Sequence, residues 1–387
     1  MIKKRAPILM FLFSSLIFWG LASLAGAQGT KVPPKPPMFV FSDMEIGSSA
    51  YVNYQALGKG FLKTFDIKLR VLPFTGTEAS VHSVLQGISM TFTTNPGMYY
   101  VQEGLFEYGA RNLGPQPVRM VYQCFRFTGA GLFTTTNSPI KTAADLRGKK
   151  VLFFLGNPGM QTYVDIVLAF GGLTWKDVKR VEVSGLKDSY EAIKTGKIDV
   201  AMSAATTGGA YEVANSPGGL RWIPMPKDDV EGWKRAKEIS PVFSPQLCEL
   251  GANISKEKPV WLATNHYPIL CGLASLEENT AYWIVKAIVE SYDGYRDILK
   301  EVMPGWTLEN ALGRGAAHVI PWHSGSVRYF KEKGVWTNEY EQLQKKNLAR
   351  QEALKKTWEA AGKEADAKGI KGEAWMEFWG QKRQTIQ

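Results

Sequence analysis

The residue types that could perform catalysis or hold a metal ion are scattered along the chain. The four histidines share no spacing that would place two metal ligands on one helical face; they are His82, His266, His318 and His323. No Gly-x-Ser-x-Gly motif occurs, and Gly156-Asn157-Pro158-Gly159 lacks the Lys-Ser/Thr pair of a phosphate-binding P-loop. The sequence therefore predicts no catalytic residue, metal or cofactor, and we do not expect an enzyme.

The cysteines Cys124, Cys248 and Cys271 allow at most one internal disulfide. Cys248 and Cys271 are the better pair, because the short loop between them costs little to close in an oxidising compartment. The alternative is that all three are small buried hydrophobic residues. No motif around them supplies a base, so neither alternative predicts a catalytic cysteine.

Three turns rich in glycine and small polar residues indicate binding chemistry instead. They are Gly47-Ser48-Ser49, Thr75-Gly76-Thr77, and Gly156-Asn157-Pro158-Gly159 with Gln161. Each lies where a strand would lead into a helix, and a helix N-terminus favours an anionic group by about 0.3–1 kcal/mol. Any one of them alone is more simply an ordinary helix cap. Their conjunction in one exported chain favours a solute-binding protein with a site for a carboxylate.

Strands and helices alternate around these turns. Strands are predicted at 38–41, 67–72, 88–92, 150–154 and 198–201, with helical spacing of apolar residues between them. Gly129-Ala130-Gly131 is a plausible hinge, beyond which the alternation restarts. This order predicts an α/β fold of two lobes, each a mostly parallel sheet flanked by helices, with a cleft between them.

The N-terminus has the pattern of an export signal. Lys3-Lys4-Arg5 precedes an apolar run from Ile8 to Leu24, and Ala25-Gly26-Ala27 supplies the small residues of a cleavage site. We predict a signal peptide at 1–27, cleaved after Ala27. The alternative is a membrane anchor.

The rest of the chain divides by composition. A Pro- and Lys-rich linker is predicted at 28–37, lobe I at 38–128 plus about 236–333, and lobe II at 129–235. Residues 334–387 are rich in Lys, Glu and Gln, with Trp336, Trp358, Trp375 and Trp379 interspersed. This pattern predicts a C-terminal helical extension that packs on the body through its tryptophans.

Composition and charge exclude some partners. The chain is 45% hydrophobic and 12% aromatic, as in folded globular proteins. Its formal net charge is +10, but Lys3, Lys4 and Arg5 leave with the signal peptide, and the other basic residues follow no nucleic-acid-binding motif. We therefore expect no nucleic-acid partner.

A series of further motifs completes the pattern. They are Gly47-Ser48-Ser49 with Tyr51 and Tyr54, Pro73-Phe74-Thr75-Gly76-Thr77-Glu78, Gln102-Glu103-Gly104 with Gly114-Pro115-Gln116-Pro117, and the run 140–151. Leu173-Thr174-Trp175-Lys176-Asp177-Val178, the run 196–201, Asp229-Val230-Glu231-Gly232-Trp233 and the run 321–329 follow. In this order and spacing the chain, from about Phe39 almost to its C-terminus, resembles the longer TAXI-type substrate-binding proteins of tripartite ATP-independent periplasmic (TRAP) transporters.

The resemblance implies a type II-like periplasmic binding protein whose two lobes close over a small organic anion, either a carboxylate or an amino acid. It also implies delivery of that anion to a membrane-embedded TRAP permease driven by an ion gradient. The family's binding positions correspond to Ser48, Ser49, Tyr51, Thr75, Gly76, Thr77, Asn157, Gly159, Gln161, Ser203, Thr206 and Thr207. This chain departs from its relatives in the first turn, at 50–54, and at Met160 and Gln161, which bears on the identity of the ligand.

Several alternatives remain open. Arg126 at the hinge could bind a carboxylate in bidentate fashion, or could be a solvated charge at a strand end. The aromatic residues Tyr51, Tyr99, Tyr100 and Trp222 could stack on a ring-containing solute, although packing is the more common use. The protein could instead present its ligand to a membrane signalling protein, or be an exported enzyme on the same scaffold.

Overall fold

A computed structural model describes residues 33–43, 46, 48–74, 76–94, 96–155, 158–313 and 319–386. The predicted signal peptide and the first part of the predicted linker lie outside these residues. Lys35–Gln387 form one compact unit, to which all the elements below belong.

The strands in the described ranges are β1 (Met38–Asp43), β2 (Lys68–Pro73), β3 (Thr91–Thr94), β4 (Val118–Gln123), β5 (Ala130–Thr134), β6 (Lys150–Phe154), β7 (Lys179–Val183), β8 (Ala201–Ala204), β9 (Arg221–Trp222), β10 (Ser244–Cys248), β11 (Val260–Thr264) and β12 (Ile269–Leu273). The α-helices there are α1 (Ser49–Phe65), α2 (Gly76–Leu85), α3 (Gly97–Glu103), α4 (Pro158–Phe170), α5 (Leu186–Lys194), α6 (Gly208–Ala214), α7 (Val230–Ile239), α8 (Glu278–Glu290), α9 (Leu308–Gly313), α10 (Ser324–Glu332), α11 (Asn338–Lys368) and α12 (Gly372–Gln384). Short 3-10 turns lie at Phe106–Gly109, Ala143–Leu146, Trp175–Asp177, Tyr292–Gly294 and Met303–Trp306.

Lobe I is built on one mixed sheet in the order β2-β1-β3-β12-β4. β1 pairs with β2 and β3 in parallel, whereas β12 runs antiparallel to both β3 and β4. The chain leaves this lobe at the end of β4 and returns at the start of β12, at the same edge of the sheet. The returning strand must therefore run in the opposite direction.

Lobe II combines a parallel and an antiparallel part. β6 and β7 pair in parallel, and the bridge Val151–Val200 extends this pairing to the residue before β8. β5 pairs antiparallel with β8, β9 and β11, and β10 pairs antiparallel with β11. The predicted two-lobed α/β fold with helices flanking the sheets is confirmed, but lobe II has less parallel pairing than the sequence suggested.

One part of the predicted domain division was wrong. The segment from about 236 was assigned to lobe I, yet β10 and β11 belong to the sheet of β5 in lobe II. The loop between these two strands contains no helix, and a parallel pair would need a long crossover connection. The two strands therefore form an antiparallel pair at the edge of the β5 sheet before the chain returns to lobe I.

The helices of lobe I cover its sheet with residues at helical spacing. In α1, Tyr54, Leu57 and Phe61 are fully buried, while Leu62 is 51% exposed. The indole of Trp306 stacks on Tyr122 at 6.1 Å between ring centroids and donates to Asn53 Oδ1 at 2.7 Å. These contacts fix α1, and with it the turn that precedes α1, on the sheet.

The two last helices, α11 and α12, form a C-terminal hairpin against lobe I. Its tryptophans Trp375 and Trp379 are each 1% exposed. Trp375 Nε1 donates to Gly109 O and Trp379 Nε1 to Gly104 O, both at 2.8 Å. Trp358 packs edge-on against both rings, with centroids 4.9 and 4.8 Å away. The indole N–H groups thus hydrogen-bond to backbone carbonyls in the segment that follows α3.

All three cysteines are buried free thiols. Cys248 lies in β10 of lobe II and Cys271 in β12 of lobe I, so the two belong to different sheets. Of the two alternatives, the structure agrees with small buried hydrophobic residues. Burial raises the pKa of the Cys248 thiol to about 11, although this sulfur accepts a hydrogen bond from Gly129 N at 3.0 Å.

Candidate functional site

The three parallel strands of lobe I end at one edge of the sheet. Asp43 at the end of β1 pairs with Pro73 at the end of β2, and Ser42 pairs with Phe92 in β3. Each strand leads within a few residues into the N-terminus of a helix, which is α1, α2 or α3 respectively. This edge therefore carries three helix N-termini, the arrangement that suits an anionic group.

In the first turn, the Ser48 hydroxyl is engaged in capping α1. It accepts from Tyr51 N at 3.0 Å and donates to Asp43 Oδ2 at 3.1 Å. Asp43 is fully buried at the end of β1, so Ser48 joins the helix to the strand. Tyr51 is half-buried in the first turn of α1. The side chain of Ser49 is not described.

The second and third turns are only partly described. Thr75 and Asn157 lie outside the described residues. Gly76 begins α2, and the side chain of Thr77 is not described. Gly159 is half-buried in the first turn of α4.

Gln161 is bonded within lobe II. Its Oε1 accepts from Phe154 N at 2.9 Å, and its Nε2 donates to Asp165 Oδ1 at 2.7 Å. Trp175 Nε1 donates to the same oxygen at 2.8 Å. Burial raises the pKa of Asp165, and the two hydrogen bonds act against that rise. The Gln161 amide thus connects α4 to Phe154 at the end of β6, the two elements on either side of the third predicted solute turn.

A cluster of hydroxyl groups lies at the end of β8, with members from β8, from the loop that follows it and from α5. Ser203 Oγ, fully buried, lies 2.8 Å from Tyr190 Oη and 2.5 Å from Thr207 Oγ1. A Cβ at Gly209 would lie 2.0 Å from the Tyr190 ring, so only glycine fits beneath that ring. Ser203 and Thr207 are bonded to each other, whereas Thr206 is exposed at the start of the loop.

The lobes are joined by two adjacent segments, 124–129 and 265–268. Cys124 N donates to Pro268 O and Tyr267 N donates to Cys124 O, both at 2.9 Å. Arg126 lies in the first segment, with its guanidinium carbon 4.7 Å from the centre of the Tyr267 ring in the second. In the described part of the chain, no hydrogen-bond acceptor or carboxylate pairs with this half-buried guanidinium.

The lobes also meet away from these segments, at a contact that sequence reasoning missed. Tyr100 Oη of α3 is hydrogen-bonded to Thr162 Oγ1 of α4. The sequence marked Tyr100 only as an aromatic residue for stacking or packing. The sequence held no signal for this contact, because its two residues lie in different lobes. Of the remaining aromatics, Trp222 is buried and donates to Ala252 O at 2.7 Å, and Tyr99 accepts from Arg383 at 3.5 Å.

The sequence profile of the NMT1-like family matches residues 109–334, which is more than half of the 387 residues. The chain belongs to the NMT1-like family. The matched region of this NMT1-like protein begins in lobe I, contains both junction segments and all of lobe II, and ends after α10. A search of curated protein sequences finds no match.

Solved structures similar to this NMT1-like protein include three that are named as solute-binding proteins or domains. The periplasmic aliphatic sulphonate-binding protein SsuA from Escherichia coli is 14% identical with a TM-score of 0.44, covering 77% of this chain and 84% of that one. A putative sulfonate-binding SsuA from Methylobacillus flagellatus is 14% identical with a TM-score of 0.40, covering 77% and 88%. Substrate-binding domain 2 of Lactococcus lactis GlnP is 11% identical with a TM-score of 0.38, covering 70% and 97%.

Two kinds of feature are absent from the described residues of this NMT1-like protein. Within the ranges that the structure describes, no helix combines the length and apolar character needed to cross a membrane. No group of three or more His, Cys, Asp or Glu side chains there could hold a metal ion.

Proposed function

We propose that this NMT1-like protein is a receptor that binds a small organic anion, a carboxylate or an amino acid, between its lobes. The observation that carries the proposal is the environment of Arg126. A guanidinium group is a cation that offers five N–H donors and no acceptor. The Arg126 guanidinium stacks on Tyr267 at the junction of the lobes, yet has no anionic or hydrogen-bonding partner in the described part of the chain.

A carboxylate is the ligand that such a group suits best. A planar guanidinium can hold two carboxylate oxygens at once, and the stacking on Tyr267 limits its rotation before the solute arrives. The helix N-termini at the strand ends of lobe I add favourable partial positive charges. They lie at the edge of the sheet where β4 ends and leads to Arg126. The predicted binding positions in the three turns and after β8 would then act mainly through backbone N–H groups.

The resemblance to TAXI-type proteins supports the rest of the proposal. We infer that the receptor works in the periplasm and hands its solute to a TRAP permease driven by an ion gradient. We expect genes for the permease subunits beside the gene of this protein, and co-expression with them tests this partner. Solute uptake should depend on both proteins and stop when an ionophore collapses the gradient. Uptake that instead follows cellular ATP would contradict a TRAP partner.

Ligand-dependent thermal stabilisation tests the binding function. A solute that binds only the folded protein adds RT ln(1 + [L]/Kd) to its stability. Dicarboxylates, keto acids, amino acids and a cell extract should be screened, and any retained ligand identified by native mass spectrometry. A purified protein that responds to none of these would refute the proposal.

Substitution of Arg126 tests the site itself. Arg126→Gln removes a charged donor pair worth about 1.5–3 kcal/mol, so the dissociation constant should rise about 10- to 150-fold. Arg126→Lys should recover only part of this, because an ammonium group cannot make the bidentate contact. The control is Arg296→Gln, an exposed arginine paired with Asp293 in lobe I. Equal affinities in Arg126→Gln and the control would exclude Arg126 from the site.

A further inference from the structure

α3 connects three parts of the molecule. It begins just after β3 at the edge that carries the candidate site, and it contains Tyr100, whose hydroxyl reaches lobe II. Its last residues, Gln102 and Glu103, face the C-terminal hairpin. A helix of seven residues is too short to be stable alone, so tertiary contacts must set its position.

The contact of Tyr100 with lobe II has a defined direction. Thr162 Oγ1 donates its own proton to Pro158 O at 2.7 Å, so its lone pair accepts the Tyr100 hydroxyl proton. Tyr100 is 5% exposed and Thr162 is 3% exposed. Phe106 packs edge-on against the Tyr100 ring at 4.8 Å between centroids. The bond therefore joins α3 to the first turns of α4, directly after the third predicted solute turn.

The C-terminal hairpin holds the other end of α3 by charge. Glu103 is fully buried, and Arg350 of α11 contacts both of its oxygens, with Nε–Oε1 at 2.8 Å and Nη2–Oε2 at 2.7 Å. Arg383 of α12 adds an Nη1–Oε2 contact at 2.9 Å. Gln351 Nε2 donates to Gln102 Oε1 at 2.6 Å. A buried carboxylate held by two guanidinium groups leaves α3 little freedom.

We propose that Tyr100 is a positioning residue that holds lobe II closed on lobe I, and that the C-terminal hairpin sets its position through Glu103. Residues three apart lie on the same face of a helix, so a shift at Glu103 moves Tyr100 with it. The hairpin, which lies outside the matched family region, is then part of the closure mechanism. The effect on solute affinity rests on the proposed receptor function, whereas the effect on lobe closure does not.

The interlobe bond is tested by Tyr100→Phe and Thr162→Val, each of which removes one partner and keeps the shape. A neutral hydrogen bond has a net value that corresponds to about three- to tenfold in an equilibrium constant. Each variant should therefore lower the ratio of closed to open protein by that factor. The double variant should lose no more than either single variant, because both remove the same bond. Additive losses would refute the bond as the closing contact.

The role of the hairpin is tested by Arg350→Gln, which leaves Arg383 on Glu103 so that the buried carboxylate keeps one cation. The matched control is Asp366→Asn, which breaks the 2.9 Å pair between the hairpin and Arg111 without touching α3. Arg350→Gln should lower the closed fraction about two- to fivefold, as expected from partial loss of the Tyr100 bond. Combined with Tyr100→Phe, Arg350→Gln should lower the closed fraction no further than Tyr100→Phe does alone. Asp366→Asn should change the closed fraction less than twofold. Equal effects of Arg350→Gln and the control would overturn the proposal.

Closure is measured in the full-length mature protein by electron spin distances between labels at Lys59 of α1 and Lys187 of α5, which are exposed on different lobes. The measurement is made first without any solute. A protein that binds no solute but shows these shifts in closure would refute the receptor function and leave the inference standing. A protein that binds a solute but shows no shift in Tyr100→Phe or Arg350→Gln would refute the inference alone. With a solute in hand, its dissociation constant should rise as the closed fraction falls.

Discussion

His323 should make the stability of the fold depend on pH below neutrality. It is 2% exposed at the N-terminus of α10, where its Nδ1 accepts from Gly325 N at 3.2 Å. Its Nε2 lies 2.9 Å from Leu276 O and must donate to it, because a carbonyl can only accept. The ring is therefore neutral, with its proton on Nε2. A second proton could only go to Nδ1, where it would break the helix cap and bury a charge.

Burial lowers the pKa of His323, the hydrogen bond to Leu276 acts against this, and the nearby charge of Arg119 lowers the pKa further. In the unfolded chain the group titrates near its ordinary value of about 6.5. The unfolded state therefore binds a proton before the folded state does, and stability falls as the pH drops below about 6.5. The maximum slope for one proton is about 1.4 kcal/mol per pH unit, and it persists until the folded-state pKa is reached.

The test is urea unfolding of the wild type and His323→Asn between pH 7.5 and pH 5. Asparagine is a good N-cap, so the variant should keep the cap of α10 and lose about 1 kcal/mol at pH 7.5 with the Leu276 bond. The difference in unfolding free energy between wild type and variant should shrink or reverse as the pH falls. The reason is that unfolding of the variant no longer takes up the proton that His323 binds in the unfolded wild type. The control is His82→Asn, at a half-buried position next to Glu78, and its stability should change with pH as that of the wild type does. Parallel curves for wild type and His323→Asn would refute the reasoning.

Two further substitutions test other features of lobe II. Gly209→Ala should destabilise the fold by about 1–3 kcal/mol in thermal or urea unfolding, because its methyl group would overlap the Tyr190 ring. Gly208→Ala, with open space around the added methyl group, is the control and should be within about 0.5 kcal/mol of wild type. Asp165→Asn should raise stability at pH 7.5, since the raised pKa of Asp165 means that the folded state disfavours the carboxylate. Its gain should disappear below pH 4, and a loss of stability at pH 7.5 would contradict this.

The prediction of the fold depended on short-range sequence patterns. Buried strands followed by helices with apolar residues at helical spacing led to the α/β class. In α8, for example, the apolar residues Ala281, Ile284, Val285 and Ile288 recur at helical spacing and are fully buried. Strand partners were less predictable. β10 and β11 read as part of lobe I because nothing in their sequence specifies which sheet edge they join. That choice depends on where the chain crosses between lobes, which is a long-range property.

The candidate site was predictable in outline and not in its contacts. Glycine and hydroxyl residues marked turns that lead from a strand into a helix. The same residue types serve helix caps and solute sites, so the sequence could not separate the two roles. In Ser48 and Ser203 the hydroxyl is bonded to the protein itself, and so is the Gln161 amide. The Tyr100–Thr162 bond joins residues of two lobes, and no spacing within either lobe could have indicated it.

These engaged side chains bear on how the proposed receptor would select its solute. A hydroxyl or amide group whose hydrogen bonds are already made within the protein orients a turn, but it contributes little to discrimination between solutes. The guanidinium of Arg126, which has no anionic or hydrogen-bonding partner among the described residues, and the backbone N–H groups at the helix N-termini both favour negative charge. Neither of them distinguishes one carboxylate from another by the rest of its structure. Selectivity among carboxylates would then come from the shape that the lobes enclose when they close. That makes the contacts that set closure, Tyr100 with Thr162 and Glu103 with the hairpin, as relevant to specificity as the residues that touch the solute.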